Sequence, residues 1–213
     1  MIAPTEKFTY EGGYRIYADG RRVFDSPLET GRGFNYEQGN AVPGFDGTCG
    51  LVSVQNVLTM ANINKTEKEI VNFARSTNSI HPDAYGKTQK ICGPTGGTCP
   101  KRRQELLAHN GVSSTLETQS IDNLAAAIEQ GKGVIISVDA DVLWKTRSPP
   151  PPPAPHAVVV TSVTRDPQGK IIGFNITDSG NRPPEPTNFY TVNDIERAFL
   201  KYRKMNVTEN RIR

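Results

Sequence analysis

The chain has 213 residues, 36% of them hydrophobic and 22% charged, with a formal net charge of +3. That length holds one domain with a buried core, and the composition argues against disorder. The longest apolar runs, Val134-Ile135-Ile136 and Ala157-Val158-Val159-Val160, are too short to span a bilayer. The basic residues are scattered, and the tail carrying Lys201, Arg203, Lys204, Arg211 and Arg213 is interrupted by polar and acidic residues, so no nucleic-acid surface is expected.

From the N-terminus, Asp19-Gly20 predicts a β-hairpin within Phe8 to Phe24, and residues 1–30 read as a hairpin extension ahead of a domain over 31–213. No apolar stretch follows Met1, so no ordinary signal peptide is expected. Gly31 to Thr48 is polar and glycine-rich and reads as an irregular loop. Leu51, Val54, Leu58 and Ala61 recur at helical spacing, which predicts a helix over Gly50 to Ala61. A second runs from Thr66 to Arg75, with Thr66 as N-cap and Glu69 closing a capping box. Thr77 to Pro100 reads as a long loop. A third helix covers Lys101 to His109 and stops at Asn110-Gly111.

Val112 to Leu116 is the next expected strand, and Ser120 to Gln130 a helix ended by Gly131. Strands follow over Val134 to Val138, His156 to Val163 and Ile171 to Thr177, the last two joined by a turn at Asp166-Pro167-Gln168-Gly169. A helix over Asn193 to Tyr202 closes the chain. Pro149 to Pro155, all proline except Ala154, predicts a stiff polyproline II segment that would wall a cleft beside His156. Helices first and then a sheet make the fold class α+β.

Three residues carry chemistry. Cys49 stands after a glycine-rich loop and before the strongest helical pattern, where unpaired N–H groups and the helix dipole favour a thiolate and could hold an oxyanion. Gly50 after it keeps the approach open. His156 opens a buried strand and could project from the sheet end. If the following turn is the three-residue loop Pro167-Gln168-Gly169, then Asp166 pairs with Lys170, Val158 lies opposite Asp178, and His156 and Asp178 are diagonal neighbours on one face. A register one residue shorter would put Thr177 or Ser179 there instead, or give Asn175 the parity of His156. Cys49 and His156 each have a plain structural reading alone, as a small packing thiol and a hydrogen-bonded strand-end histidine. Together with Asp178 they supply a nucleophile, a base and the acid that orients it.

The string Thr48-Cys49-Gly50-Leu51-Val52-Ser53-Val54-Gln55-Asn56-Val57-Leu58 resembles the nucleophile helix of papain-like cysteine peptidases. The blocks from His156 to Val163 and from Phe174 to Gly180 are similar to their histidine and acid strands, in the same order. Within that family the resemblance is to bacteriocin-processing, double-glycine-leader peptidases and to bacterial polymorphic toxin domains, where Gly97 to Pro100 leading into Leu106 to Val112 matches a structural helix. Asp141-Val142-Leu143-Trp144 is also similar to the toxin branch. It implies a papain-like fold with the nucleophile helix packed on an antiparallel sheet. It further implies a glutamine that donates to the oxyanion ahead of the cysteine, for which Gln38 is the candidate and Asn40 the fallback. Cleavage after small residues such as Gly-Gly, a secreted antibacterial effector acting in a target-cell cytoplasm, and a cognate immunity protein in its cleft would follow.

Trp144 is expected to be half-buried near the cleft, where it could pack a substrate backbone or simply the core. The cysteine count is odd, so at least one thiol is unpaired, and Cys92 and Cys99 read as free thiols or a loop disulfide. Their spacing does not suit zinc, so no metal or cofactor is expected. His81 and His109 are weaker candidates for a site. Two other functions remain open: a glutamine deamidase or transglutaminase on the same three residues, and a non-catalytic binding module.

Overall fold

The computed structural model describes residues 6–25, 34–77, 80–82, 88–90, 97–146, 153–180 and 188–212. Its first strands are β1 (Phe8–Glu11), β2 (Tyr14–Tyr17) and β3 (Arg22–Asp25), followed by helices α1 (Cys49–Met60) and α2 (Glu67–Ser76). A small pair, β4 (Ile80–Pro82) and β5 (Thr88–Lys90), precedes α3 (Pro100–His109), β6 (Ser114–Thr118) and α4 (Ile121–Glu129). Then come β7 (Val134–Asp139), a short α5 (Ala140–Leu143), β8 (Pro155–Arg165) and β9 (Ile171–Thr177). The chain ends with β10 (Asn188–Thr191), α6 (Val192–Ala198) and β11 (Lys204–Thr208).

Strand β8 organises the sheet. One of its edges pairs with β9, and the other is shared by β7 at Pro155 to Val160 and by β3 at Ser162 to Arg165. From β7 the sheet continues to β11 and β6, from β3 to β2 and β1, and β10 lies outside β9, every pairing being antiparallel. The N-terminal hairpin is therefore part of this sheet. It is tied down further where Tyr14 Oη donates to Glu129 on α4 (2.5 Å), a carboxylate also held by Arg165.

The sheet is buried on both faces, which is why Val134 to Ile136 and Ala157 to Val160 are apolar without a break. Ile135, Ala157 and Val159 face one core with Leu51, Val54 and Leu58 of α1, Ile70 of α2 and Leu106 of α3. Val134, Ile136, Val158 and Val160 face a second core with Leu124 and Ile128 of α4, Leu143 of α5 and Ile195 of α6. Truncating any one of these buried leucines or isoleucines to alanine would cost about 2–5 kcal/mol. No helix among the described residues is long and apolar enough to cross a membrane.

The α+β class agrees with the sequence reading, and so do both local helix signals, the Thr66–Glu69 capping box and Gly111 at positive φ after α3. Several elements differ. The stretch read as a loop from Thr77 contains β4 and β5, and the strand expected at Val112 begins two residues later, at Ser114. The last helix stops at Ala198, because Phe199 turns extended and bridges to Val138. The charged tail contains β11, paired on both sides, with Met205 and Val207 in the second core. Of the proline run, residues 149–152 lie outside the described residues; Pro155 already belongs to β8, paired with Asp139.

The turn between β8 and β9 has Gly169 at φ +87, and Asp166 N–H donates to Lys170 O (2.9 Å). Beyond it, an extra residue on β9, Ile172, shifts the pairing by one, and an extra residue on β8, Thr161, shifts it back. Val159 then pairs with Thr177, which aligns Val158 with Asp178 as the simple register predicts. Two bulges of opposite sense cancel at the site.

Candidate active site

Cys49 is the first residue of α1 and half-buried. Leu51 N–H and Val52 N–H both donate to Thr48 O, while those of Cys49 and Gly50 take no partner among the described residues. The open helix end is therefore at the thiol itself. Thr48 does not cap it with its side chain. Its hydroxyl donates instead to Glu67 Oε1 (2.5 Å) and accepts from Gly39 N–H (2.9 Å).

His156, the second residue of β8, is buried, and its Nε2–H donates to Asp178 Oδ1 (2.7 Å). Its remaining nitrogen, Nδ1, is the one that can exchange a proton with Cys49, whose charge favours the protonated ring. Burial pulls the imidazole down, but the hydrogen bonds and charges of Asp178 and Cys49 outweigh it and hold the ring well above its ordinary value. Burial pushes the Cys49 thiol up; hydrogen bonding and charge from His156, with smaller contributions from Ala157 N–H and Arg103, bring it below its ordinary value. For Asp178, burial raises the carboxyl, and His156, Trp144 and Gly180 N–H together lower it. Each of the three shifts favours the charged form of its group.

Asp178 is completely buried and takes two further hydrogen bonds, from Trp144 Nε1–H to Oδ2 (2.7 Å) and from Gly180 N–H to Oδ1 (2.8 Å). The Trp144 ring also meets His156 edge-on, with centroids 5.3 Å apart. Thr177 and Ser179, the alternatives in a shifted register, do not bond to His156; Ser179 Oγ donates to Gln38 Oε1 (3.2 Å). Gln38 N–H donates to Ser179 O (3.0 Å), and its Nε2 to Asp46 O (3.0 Å). Gln38 therefore straps the loop before Cys49 to the segment after Asp178. Gly50 is buried, and a Cβ on it would overlap the Thr98 hydroxyl and stand 3.3 Å from Arg103 Cδ.

No protein-family model matches this chain, and no curated protein matches it. Among solved structures, a protein of Bacillus anthracis provisionally described as a C39-like peptidase superposes with a TM-score of 0.56, covering 84% of this chain and 95% of that one at 13% identity. The backbone fold of this chain is similar to that of the Bacillus anthracis protein. At that identity the likeness concerns backbone architecture, and the chemistry has to be read from this chain's own residues.

His109 stacks on Phe73, with centroids 3.6 Å apart. His81 belongs to β4, its side chain lying outside the described residues along with Cys92. Cys99 is a free thiol at the N-cap of α3. Among the described residues no cluster of His, Cys, Asp or Glu could hold a metal ion.

Two residues near the site gave no signal in the sequence. Glu67 is buried and accepts from Thr48 Oγ1 and from Gly39 N–H (3.0 Å), anchoring the cap of α1 and the loop next to Gln38. Arg103 is buried under Gly50. Both read as ordinary helix-surface charges, since their partners are far along the chain.

Proposed function

We propose that this chain is a cysteine peptidase with Cys49 as nucleophile, His156 as acid–base and Asp178 as the orienting carboxylate. The observation that carries this reading is the 2.7 Å hydrogen bond from His156 to the fully buried Asp178 carboxylate, beside a thiol at the N-terminus of a helix, a thiol whose pKa the imidazole lowers. The Cys49 thiolate attacks a peptide carbonyl carbon, forming a C–S bond. The oxygen becomes an oxyanion beside the Cys49 N–H, with Gln38 Nε2 as the second donor if its bond to Asp46 O is exchanged. His156 Nδ1–H gives its proton to the leaving nitrogen as the C–N bond breaks. The neutral imidazole then deprotonates water, which attacks the thioester, releases the acid and restores the ion pair. Asp178 keeps Nε2 protonated throughout, so Nδ1 is the nitrogen that exchanges the proton.

The setting we propose is an antibacterial effector held by an immunity protein in its cleft, cutting after small residues such as Gly-Gly. Its support is the resemblance of the segments around Cys49, His156 and Asp178 to toxin-branch domains.

The test incubates wild type and Cys49→Ala with a bacterial lysate and maps new protein N-termini by mass spectrometry. New termini that depend on Cys49 are expected, with small residues before the cut. Ammonia release with intact backbones would replace the reading with deamidation, and no difference at all would leave a binding role. For the effector setting, wild type expressed in a bacterial cytoplasm should arrest growth and Cys49→Ala should not; equal growth would remove it.

A further inference from the structure

Arg103 carries a buried charge that no carboxylate among the described residues answers. Its side chain is 2% exposed, Nε donates to Asn206 Oδ1 (3.0 Å) and an Nη to Ser137 Oγ (2.7 Å), both neutral acceptors. It forms no ion pair among the described residues. Burial pulls the guanidinium down to about 10, which still leaves it charged at neutral pH. Holding a cation out of water on neutral acceptors alone is strongly unfavourable, and an amide could make the same two bonds without a charge.

The groups facing Arg103 account for it. Its stem runs beneath Gly50, the residue after the nucleophile. Cys49 on α1 and Cys99 at the head of α3 favour its charged form, and Arg203 opposes it. Among the described residues, His156 on β8 and Arg103 are cationic side chains that favour the Cys49 thiolate. With Asp178 ionised and His156 protonated, those two charges cancel, and a Cys49 thiolate leaves the site with a net negative charge. The guanidinium brings it to neutral.

We propose that Arg103 is the buried counter-cation of the Cys49 thiolate, a positioning residue that keeps the nucleophile ionised without touching substrate. This rests on the peptidase reading only for its purpose, since the ionisation of Cys49 is measurable with no substrate present.

The experiment measures the rate of iodoacetamide alkylation against pH, reading the Cys49 peptide by mass spectrometry so that Cys92 and Cys99 are counted apart. Wild type is compared with Arg103→Lys, Arg103→Gln and Asn206→Asp, each checked for folding by circular dichroism. The last variant leaves Arg103 in place and sets a carboxylate against it. The acid-side midpoint at Cys49 should rise by at least about one pH unit, a tenfold loss of thiolate below it, in Arg103→Gln and in Asn206→Asp. Arg103→Lys should stay within about half a unit of wild type, because the charge is retained. Midpoints unmoved in folded Arg103→Gln or Asn206→Asp would overturn the proposal, and if Arg103→Gln does not fold, Asn206→Asp decides alone. An active peptidase with an unmoved midpoint would remove this role and leave the peptidase standing; a shifted midpoint in a protein that cuts nothing would do the reverse.

Discussion

A methyl group on Gly180 would stand 2.9 Å from His156 Cε1 and 3.0 Å from Trp144 Cζ2, well inside the separation at which carbon atoms pack. The same residue's N–H holds Asp178. Gly180 therefore sets the ring plane of His156 from one side while Trp144 and Asp178 set it from the others. Gly180→Ala should fold, because the crowding is local to two ring edges, but it should turn the imidazole away from the thiol. The expected loss is roughly 10–100-fold in kcat with little change in KM, since orientation of the reacting groups is what suffers. Steady-state kinetics on a peptide taken from the Cys49-dependent cuts would check it, and a rise in KM at constant kcat would mean that position 180 touches substrate instead. Trp144 was open to two sequence readings, substrate platform or core. Its indole N–H on Asp178 adds a third: a clamp on the acid, within the same residue's reach of His156.

At the level of elements, the start of α1 is held from outside the helix. Thr48 Oγ1 and Gly39 N–H both rest on Glu67, so Glu67→Ala would leave the buried Thr48 hydroxyl without its acceptor and Gly39 N–H with Thr48 Oγ1 alone. A destabilisation of about 1–3 kcal/mol is expected from the unsatisfied hydroxyl, seen as a lower denaturant midpoint, with Glu67→Gln affected less because one acceptor oxygen survives. A Glu67→Ala midpoint equal to wild type would mean that solvent reaches the cap. This contact also marks the limit of what the sequence reveals. The Thr66–Glu69 capping box lies within one turn and was legible; Glu67 bonds to residues 19 and 28 positions away and was not. Strand β11 hid for a related reason: Lys204-Met205-Asn206-Val207-Thr208 reads as a polar tail until β6 and β7 pair with it on both sides. Asp178 could be found from the Gly169 turn because the bulges at Ile172 and Thr161 cancel, although the pairs between them are shifted from the simple register.

Across the whole molecule, the site joins two cores that the sheet keeps apart. Cys49 packs with the layer of α1, α2 and α3, Trp144 with that of α4, α5 and α6, and His156 stands between them at the end of β8. The charge state of His156 and Asp178 should therefore be felt by global stability. Asp178 is lowered from 3.8, so its contribution is present above that pH and is lost as the pH falls through the lowered value. His156 is raised from 6.5, so its contribution is complete below that pH and is lost as the pH rises toward the raised value. Asp178→Asn removes the first contribution and weakens the second. The gap in melting temperature between wild type and Asp178→Asn should be widest between about 3.8 and 6.5 and should narrow on either side. Trp144, the chain's single tryptophan, adds an optical reading of the same event. Its emission should shift as Asp178 takes up a proton in wild type and should be flat over that range in Asp178→Asn. A melting gap that stays constant from about pH 3 to about pH 9 would mean that imidazole and carboxylate do not share a charge, and His156 would then need another source for its protonated state.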